Sequence, residues 1–460
     1  MNFSYLRREP GFYKRLFLLA LPLILQNLIT TSLGFVDTFM VGLVGQEQMS
    51  AVTVANVPIY IIQLIVFGLQ SGSRVLISQF WGRGDRESIN RVMGIGFFVA
   101  GGISTLCALT MGLFPRQVLM LITDNARLVE LGTSYIRIVG FSYILNSLSS
   151  IYIGMQQSIE NPRFGMTVFA ISTVCNTVGN YILIFGKLGL PALGITGAAI
   201  ATFSSRVVEF VISLVYALHC KQMPLLPACI LRPGKATFRS FVKFSTPVLL
   251  NETLWGTGTS LYTVIMGHMA GSTDLISAYT VAGSIDKLST AGIYGIANAA
   301  AIVGKEVGMG GKNAYPIGQA LTFVAFCTGF GVAIAEQLLF WLVLKPHVLP
   351  LFSMTAASAS LCVTMMICYS ISAPLHAFAT TGIVGVLRGG GDVRIAMLID
   401  VLPLWCFTLP LLVLLGLVLH APIAIFCFIM ATESALKVPF GLHRIRSGKW
   451  IHDVTQDLNA

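Results

Sequence analysis

The placement of the charges constrains this chain most. They gather in short clusters, and between the clusters run apolar stretches long enough, at about 1.5 Å per residue, to cross a hydrocarbon core of about 30 Å as helix. Segments bounded by charged, glycine or proline clusters fall at 14–41, 51–79, 92–114, 131–158, 165–186, 194–219, 241–267, 275–304, 315–344, 358–387, 394–418 and 421–442. Only 10% of residues are charged and 55% are hydrophobic, against roughly 25% charged in soluble domains, which excludes a soluble globular enzyme. A span with its connection takes about 30 to 40 residues, so 460 residues allow about a dozen spans and leave almost nothing for an extramembrane domain. The function must sit among the helices.

Twelve spans place both termini on one side, and the basic residues indicate which. The N-terminus (Arg7, Arg8, Lys14, Arg15), the connections after the even-numbered segments and the C-terminus (Lys437, Arg444, Arg446, Lys449) hold 21 of the 29 Lys and Arg, against four on the opposite face. Both termini are therefore expected in the cytoplasm. The same asymmetry accounts for the net charge of +10: it reads as loops facing anionic lipid, with no nucleic-acid partner. The N-terminal charges lead straight into an apolar run with no small-residue cleavage site, so that run is expected to be the first span and not a removed leader. Nine cysteines, an odd number without a CxxC, read as small packing residues in helices rather than disulfides or metal ligands.

The first half of the chain resembles the second. Pro22 and Gly42 recur as Pro247 and Gly267, and Ser50-Ala51-Val52-Thr53-Val54-Ala55 as Ser277-Ala278-Tyr279-Thr280-Val281-Ala282. Gly68 falls on Gly295, and Gly154 with Asn161-Pro162-Arg163 on Gly385 with Asp392-Val393-Arg394. One such match would be ordinary punctuation; four in order, at offsets of 225 to 231, make an internal repeat. Six helices per repeat give both halves the same orientation. The expected fold is an all-α integral membrane protein, with twelve transmembrane helices as two pseudo-symmetric six-helix bundles around a central cleft. Residues 1–220 would form one lobe, 221–240 (with Pro224, Pro227 and Pro233) a cytoplasmic linker, and 241–460 the second lobe and tail.

A carboxylate at bilayer depth costs several kcal/mol, so each one needs a partner or a role. Glu209 lies three residues after Arg206 and Glu433 four before Lys437, spacings that put each pair on one helix face. Glu336, near the end of its segment, is expected to snorkel to the interface. Asp37 has no basic neighbour within a turn. Asn176 and Asn180 share a helix face, and with Asp37 and the Thr202 hydroxyl they could enclose Na⁺, a hard cation that takes oxygen ligands; alternatively Asp37 carries a proton, or merely caps a neighbouring helix. In the second half Glu252 has Trp255 and Tyr262 along its helix, and Trp405 follows Asp400 by five residues, acid and aromatic company that would suit an organic cation. Asp286 stands beside Lys287, but adjacent residues point about 100° apart and are not thereby a pair. His376 is expected to pack.

Pro22, Val36-Asp37-Thr38, Val41-Gly42, the turn Gln79-Phe80-Trp81-Gly82, Asn176 with Asn180 to Gly186, Gly194 to Thr202, and Gly385-Val386-Leu387-Arg388-Gly389 together resemble the multidrug and toxic compound extrusion (MATE) transporters. The resemblance runs over nearly the whole chain. It implies a monomeric secondary antiporter of a bacterial inner membrane, exporting amphipathic, often cationic compounds by alternating access in exchange for Na⁺ or H⁺, with no other cofactor. It also implies that Asp37, Asn176, Asn180 and Thr202 form the cation site, that helix one bends near Pro22, and that Glu252 is the membrane carboxylate of the seventh helix. Some relatives have an Asp in place of Asn180, and some an acid in the tenth helix, where this chain has Ala377. A lipid-linked glycan flippase of the same superfold is the alternative, but few basic residues lie within helices to hold a pyrophosphate. A polytopic transferase would need His, Asp or Cys clustered in a loop, and the phosphate-binding pattern of an ATP-driven pump is absent.

Overall fold

The computed structural model describes residues 11–269, 272–348 and 355–456; Arg7 and Arg8 of the basic N-terminus lie outside the described residues. The chain is helical throughout, with a lone β-bridge between Gly391 and Ile451 among the described residues. The first half contains α1 (Phe12–Gly42), α2 (Gln46–Arg83), α3 (Arg86–Leu113), the short α4 (Pro115–Met120), α5 (Ala126–Ser158), α6 (Pro162–Phe185) and α7 (Gly194–His219). After the short α8 (Pro227–Leu231) in the linker come α9 (Lys235–Gly267), α10 (Ser272–Ser289), α11 (Ala291–Ala299), α12 (Ala301–Gly308), α13 (Ala314–Leu339), α14 (Ala356–Ala379), α15 (Val393–Leu402), α16 (Leu409–Val413) and α17 (Ile423–Ser447). Wide π-turns extend α13 (Phe340–Val348) and α14 (Thr380–Leu387) and flank α16 (Pro403–Thr408, Leu414–Val418). Among the described residues ten helical stretches are long and apolar enough to cross a membrane.

All twelve apolar segments are helical, in the expected order. Where two rods meet, local chemistry sets the joint: Gly84 ends α2 in the left-handed region (φ 73°), its N–H reaching the carbonyls of Phe80 and Trp81. Asp85 then caps α3 by accepting from the Ser88 N–H at 3.0 Å. The eighth segment, expected as one helix over 275–304, is three, broken at Thr290 and Ala300. The Thr290 hydroxyl bonds back to the Asp286 carbonyl at 2.8 Å, a competition that bends helices without a proline.

The chain gathers into two compact units, one of Leu25–Leu249 and one that joins the segment up to Ile24 with Leu250–Gln456. Both divisions fall two residues after a proline inside a continuous helix, Pro22 in α1 and Pro247 in α9, and not in the 221–240 linker. The internal repeat is visible as matched packing within each unit. A side chain at Gly68 of α2 would strike Leu249, and one at Gly295 of α11 would strike Ile24, the repeat counterpart of Leu249. Likewise Gly154 of α5 faces Gln70 of α2, and Gly385 faces Ala297 and Ala300. The repeated glycines are positions where a neighbouring helix approaches too closely for a Cβ. All nine cysteines are free, and Cys362, Cys368 and Cys427 pack in an apolar cluster of the C-terminal unit.

Candidate functional site

In the unit Leu25–Leu249, α1, α6 and α7 bring Asp37, Asn176, Asn180 and Thr202 together. The Asn180 amide donates to Asp37 Oδ1 at 2.6 Å and to Asn176 Oδ1 at 3.1 Å. The Asn176 amide donates to Thr202 Oγ1 at 3.4 Å. Both asparagines are buried, and Asn180 Oδ1 has no hydrogen-bond partner among the described residues. The register comes from small residues: Gly179 lies against Ala201 and Gly197 against the Leu183 backbone, which draws α6 onto α7 and sets Asn180 near Thr202.

A second polar layer adjoins this one. Arg206, one turn beyond Thr202, pairs with Glu209 at 2.7 Å as the spacing predicts, and Asn146 of α5 donates to the same carboxylate at 3.2 Å. Gln63 of α2 donates to the Tyr143 hydroxyl at 2.6 Å, and Tyr135 to Asn56 at 3.4 Å. Arg206, Tyr135 and Tyr143 all interact electrostatically with Asp37. Asn56, Asn146, Tyr135 and Tyr143 were not legible as site residues, because each contact joins helices some 60 to 80 residues apart. Their one signal was polarity inside apolar runs.

In the C-terminal unit Glu252, Asp400 and Glu433 are bound by this chain's own cations. Arg388 pairs with Glu252 at 2.6 Å and lies 3.9 Å from Asp400; Lys437 holds Asp400 at 2.7 Å and Glu433 at 2.6 Å. Asn251 donates to Asp400 at 2.8 Å, and the Tyr262 hydroxyl to Glu433 at 2.7 Å. Trp255 and Trp405 pack on the apolar cluster of that unit, and the Trp405 indole donates to the Leu254 carbonyl at 3.1 Å. The acid-and-aromatic pocket expected around Glu252 and Asp400 is thus replaced by an ion-pair network, since tertiary folding delivers Arg388 and Lys437 to acids remote in sequence. His376 packs, its ring edge-on to Tyr294 with centroids 6.0 Å apart. Asp286 and the exposed Lys287 form no ion pair with each other, and Glu336 does not snorkel: it is 1% exposed and accepts from the Ser370 hydroxyl at 3.0 Å. Its position in α13 faces α14 rather than the interface.

Residues 22–182 match the family model MatE. The chain is 26% identical to "Multidrug resistance protein MdtK" of Edwardsiella ictaluri over 88% of each protein. It is 25% identical to "Probable multidrug resistance protein NorM" of Thermotoga maritima over 67% of each. The chain thus carries the MatE pattern over residues 22–182 and is similar over most of its length to multidrug resistance proteins.

Its fold is that of a solved structure described as the outward-facing conformation of a multidrug resistance MATE family transporter of the MOP superfamily. The TM-score is 0.83 at 17% identity, covering 97% of this chain and 98% of the other. The likeness to multidrug resistance proteins, with ten described helical stretches able to cross a membrane, makes this a multi-pass membrane transporter and not an enzyme. Two of the positions noted from sequence take their place in this structure. Asn180 brings an amide to Asp37, and at the acid-bearing place in the tenth helix the buried Ala377 of α14 packs against Gly329 instead.

Proposed function

We propose that this transporter is a secondary antiporter of a bacterial cytoplasmic membrane, with both termini in the cytoplasm. It exports amphipathic, cationic drugs or metabolites in exchange for Na⁺ or H⁺ by alternating access. The observation that carries the reading is Asp37: within the spans of its unit Glu209 is paired with Arg206, whereas Asp37 accepts from the Asn180 amide and has no ion-pair partner among the described residues. A carboxylate at membrane depth without an ion pair of its own is built to bind and release a cation. One Asp, two Asn and one Thr give a pocket charge of −1, which suits a single monovalent ion. The names of the relatives, which describe multidrug resistance proteins, support the substrate class.

One charge moving down about 100 mV yields roughly 2.3 kcal/mol, and 1.4 kcal/mol is tenfold, so the potential alone sustains a substrate gradient of about fifty-fold per ion. The test is ethidium transport in proteoliposomes under an imposed Na⁺ gradient, then an imposed pH gradient. Wild type is expected to follow one gradient, which names the ion, and Asp37→Asn to lose that response while still binding ethidium. Gradient-driven transport that survives Asp37→Asn overturns the assignment of the site.

A further inference from the structure

We propose that Glu336 is a proton-carrying carboxylate of this transporter, seated in a pocket of α10, α13 and α14 distinct from Asp37 and from the Arg388–Lys437 network. Glu336 occupies the last turn of α13, just before the π-turns of Phe340–Val348, and is 1% exposed. Its Oε2 accepts from Ser370 Oγ at 3.0 Å. That hydroxyl in turn accepts from the Gln337 amide at 2.8 Å, and Gln337 also donates to the Met366 carbonyl at 3.1 Å and accepts from the Trp341 indole at 2.9 Å. The neighbouring dipoles are therefore saturated and fixed. Glu336 Oε1, equally buried, has no hydrogen-bond partner among the described residues.

The surroundings supply no neutralising charge. From α10, Asp286 interacts electrostatically with Glu336, and with Tyr279, with Tyr369 of α14 and with Tyr294 of α11. From α17, Lys437 is held by Asp400 and Glu433, and His376 of α14 faces that network. Lys345 stands over the Trp341 ring at 3.9 Å. Neither Asp286 nor Glu336 has an ion pair among the described residues.

A desolvated carboxylate without a counter-charge is untenable at this depth. Na⁺ would need several convergent oxygens, and the one hydroxyl at hand already points its hydrogen at Oε2. A proton needs only the Oε1 lone pair. On uptake water delivers it and an O–H bond forms at Oε1; on release that bond breaks and water takes the proton back. The role in coupling rests on the antiport reading above; the protonation itself does not.

Difference infrared spectroscopy of the full-length protein in lipid separates the two. Wild type should show a protonated-carboxyl C=O band that acidification strengthens and alkalinisation removes. Glu336→Gln should lose it, Glu336→Asp should restore one at a changed frequency, and Asp37→Asn should keep it. A spectrum unchanged by Glu336→Gln overturns the proposal, whatever transport does. If wild type shows no gradient-driven transport, the antiport reading fails while the band still decides the protonation. If wild type transports and Glu336→Gln keeps the same number of protons per substrate, the coupling role falls.

Discussion

Glu252 and Arg388 stand 136 residues apart in the chain and meet at 2.6 Å, with side chains only 13% and 3% exposed. Breaking such a pair from one side leaves a buried charge uncompensated, at a cost of about 3–5 kcal/mol, whereas removing both partners is far milder. Arg388→Gln should therefore lower the melting temperature of the purified transporter sharply, and Glu252→Gln/Arg388→Gln should recover most of the loss; equal melting of the single and double variants would show that the pair is not what Arg388 holds. Residue by residue, the legible contacts are the local ones. Arg206–Glu209 and Glu433–Lys437 follow from helical spacing alone. The clustering of Asp37 with Asn176, Asn180 and Thr202 needed the family resemblance, because it depends on which helices touch. Lys437 shows the limit of spacing: its i−4 partner was legible, but its second bond, to Asp400, was not.

At the scale of elements, the repeat was legible because its markers are the residues that backbones cannot do without. Gly68 and Gly295 occupy equivalent places and admit Leu249 and Ile24. Gly68→Ala and Gly295→Ala should each destabilise by about 1–3 kcal/mol through overpacking. Gly102→Ala and Gly283→Ala, where an added Cβ meets nothing within 4 Å, should leave stability unchanged or raise it by about 0.5–1 kcal/mol through helix propensity. Melting curves of the four variants in one detergent compare them directly; a loss at Gly283 as large as at Gly295 would refute the close-approach argument. The breaks that divide α10, α11 and α12 had no such marker. Thr290 reads as an ordinary helical residue until its hydroxyl is seen on the Asp286 carbonyl.

For the molecule as a whole, composition and charge made the number and order of helices legible. They did not reveal that α1 and α9 each change unit in mid-helix, since nothing local distinguishes a helix that serves one unit from a helix that serves two. The C-terminal tail was also missed as a structural part. Trp450 is fully buried against Gly318 and Gly390, its indole donating to the Ile445 carbonyl at 3.0 Å, and the His452 N–H reaches the Gly390 carbonyl at 2.7 Å. Trp450→Ala should cost about 3–5 kcal/mol, read as a lower melting temperature and a lower yield of monodisperse protein; wild-type values would mean the tail merely rests on the fold.

The apolar cluster that Trp450 completes also contains Leu16, Ala20 and Leu23. Among the described residues the first and last long helices, α1 and α17, thus close the same core. During synthesis the segment up to Ile24 leaves the exit tunnel long before its packing partners, Ile296 onward, exist, and the whole of Leu25–Leu249 is translated in the interval. A nascent chain arrested just after Leu249 would hold one fully translated unit and, of the other, only an opening segment waiting in the lipid. The insertion machinery must shelter that segment until its partners are made.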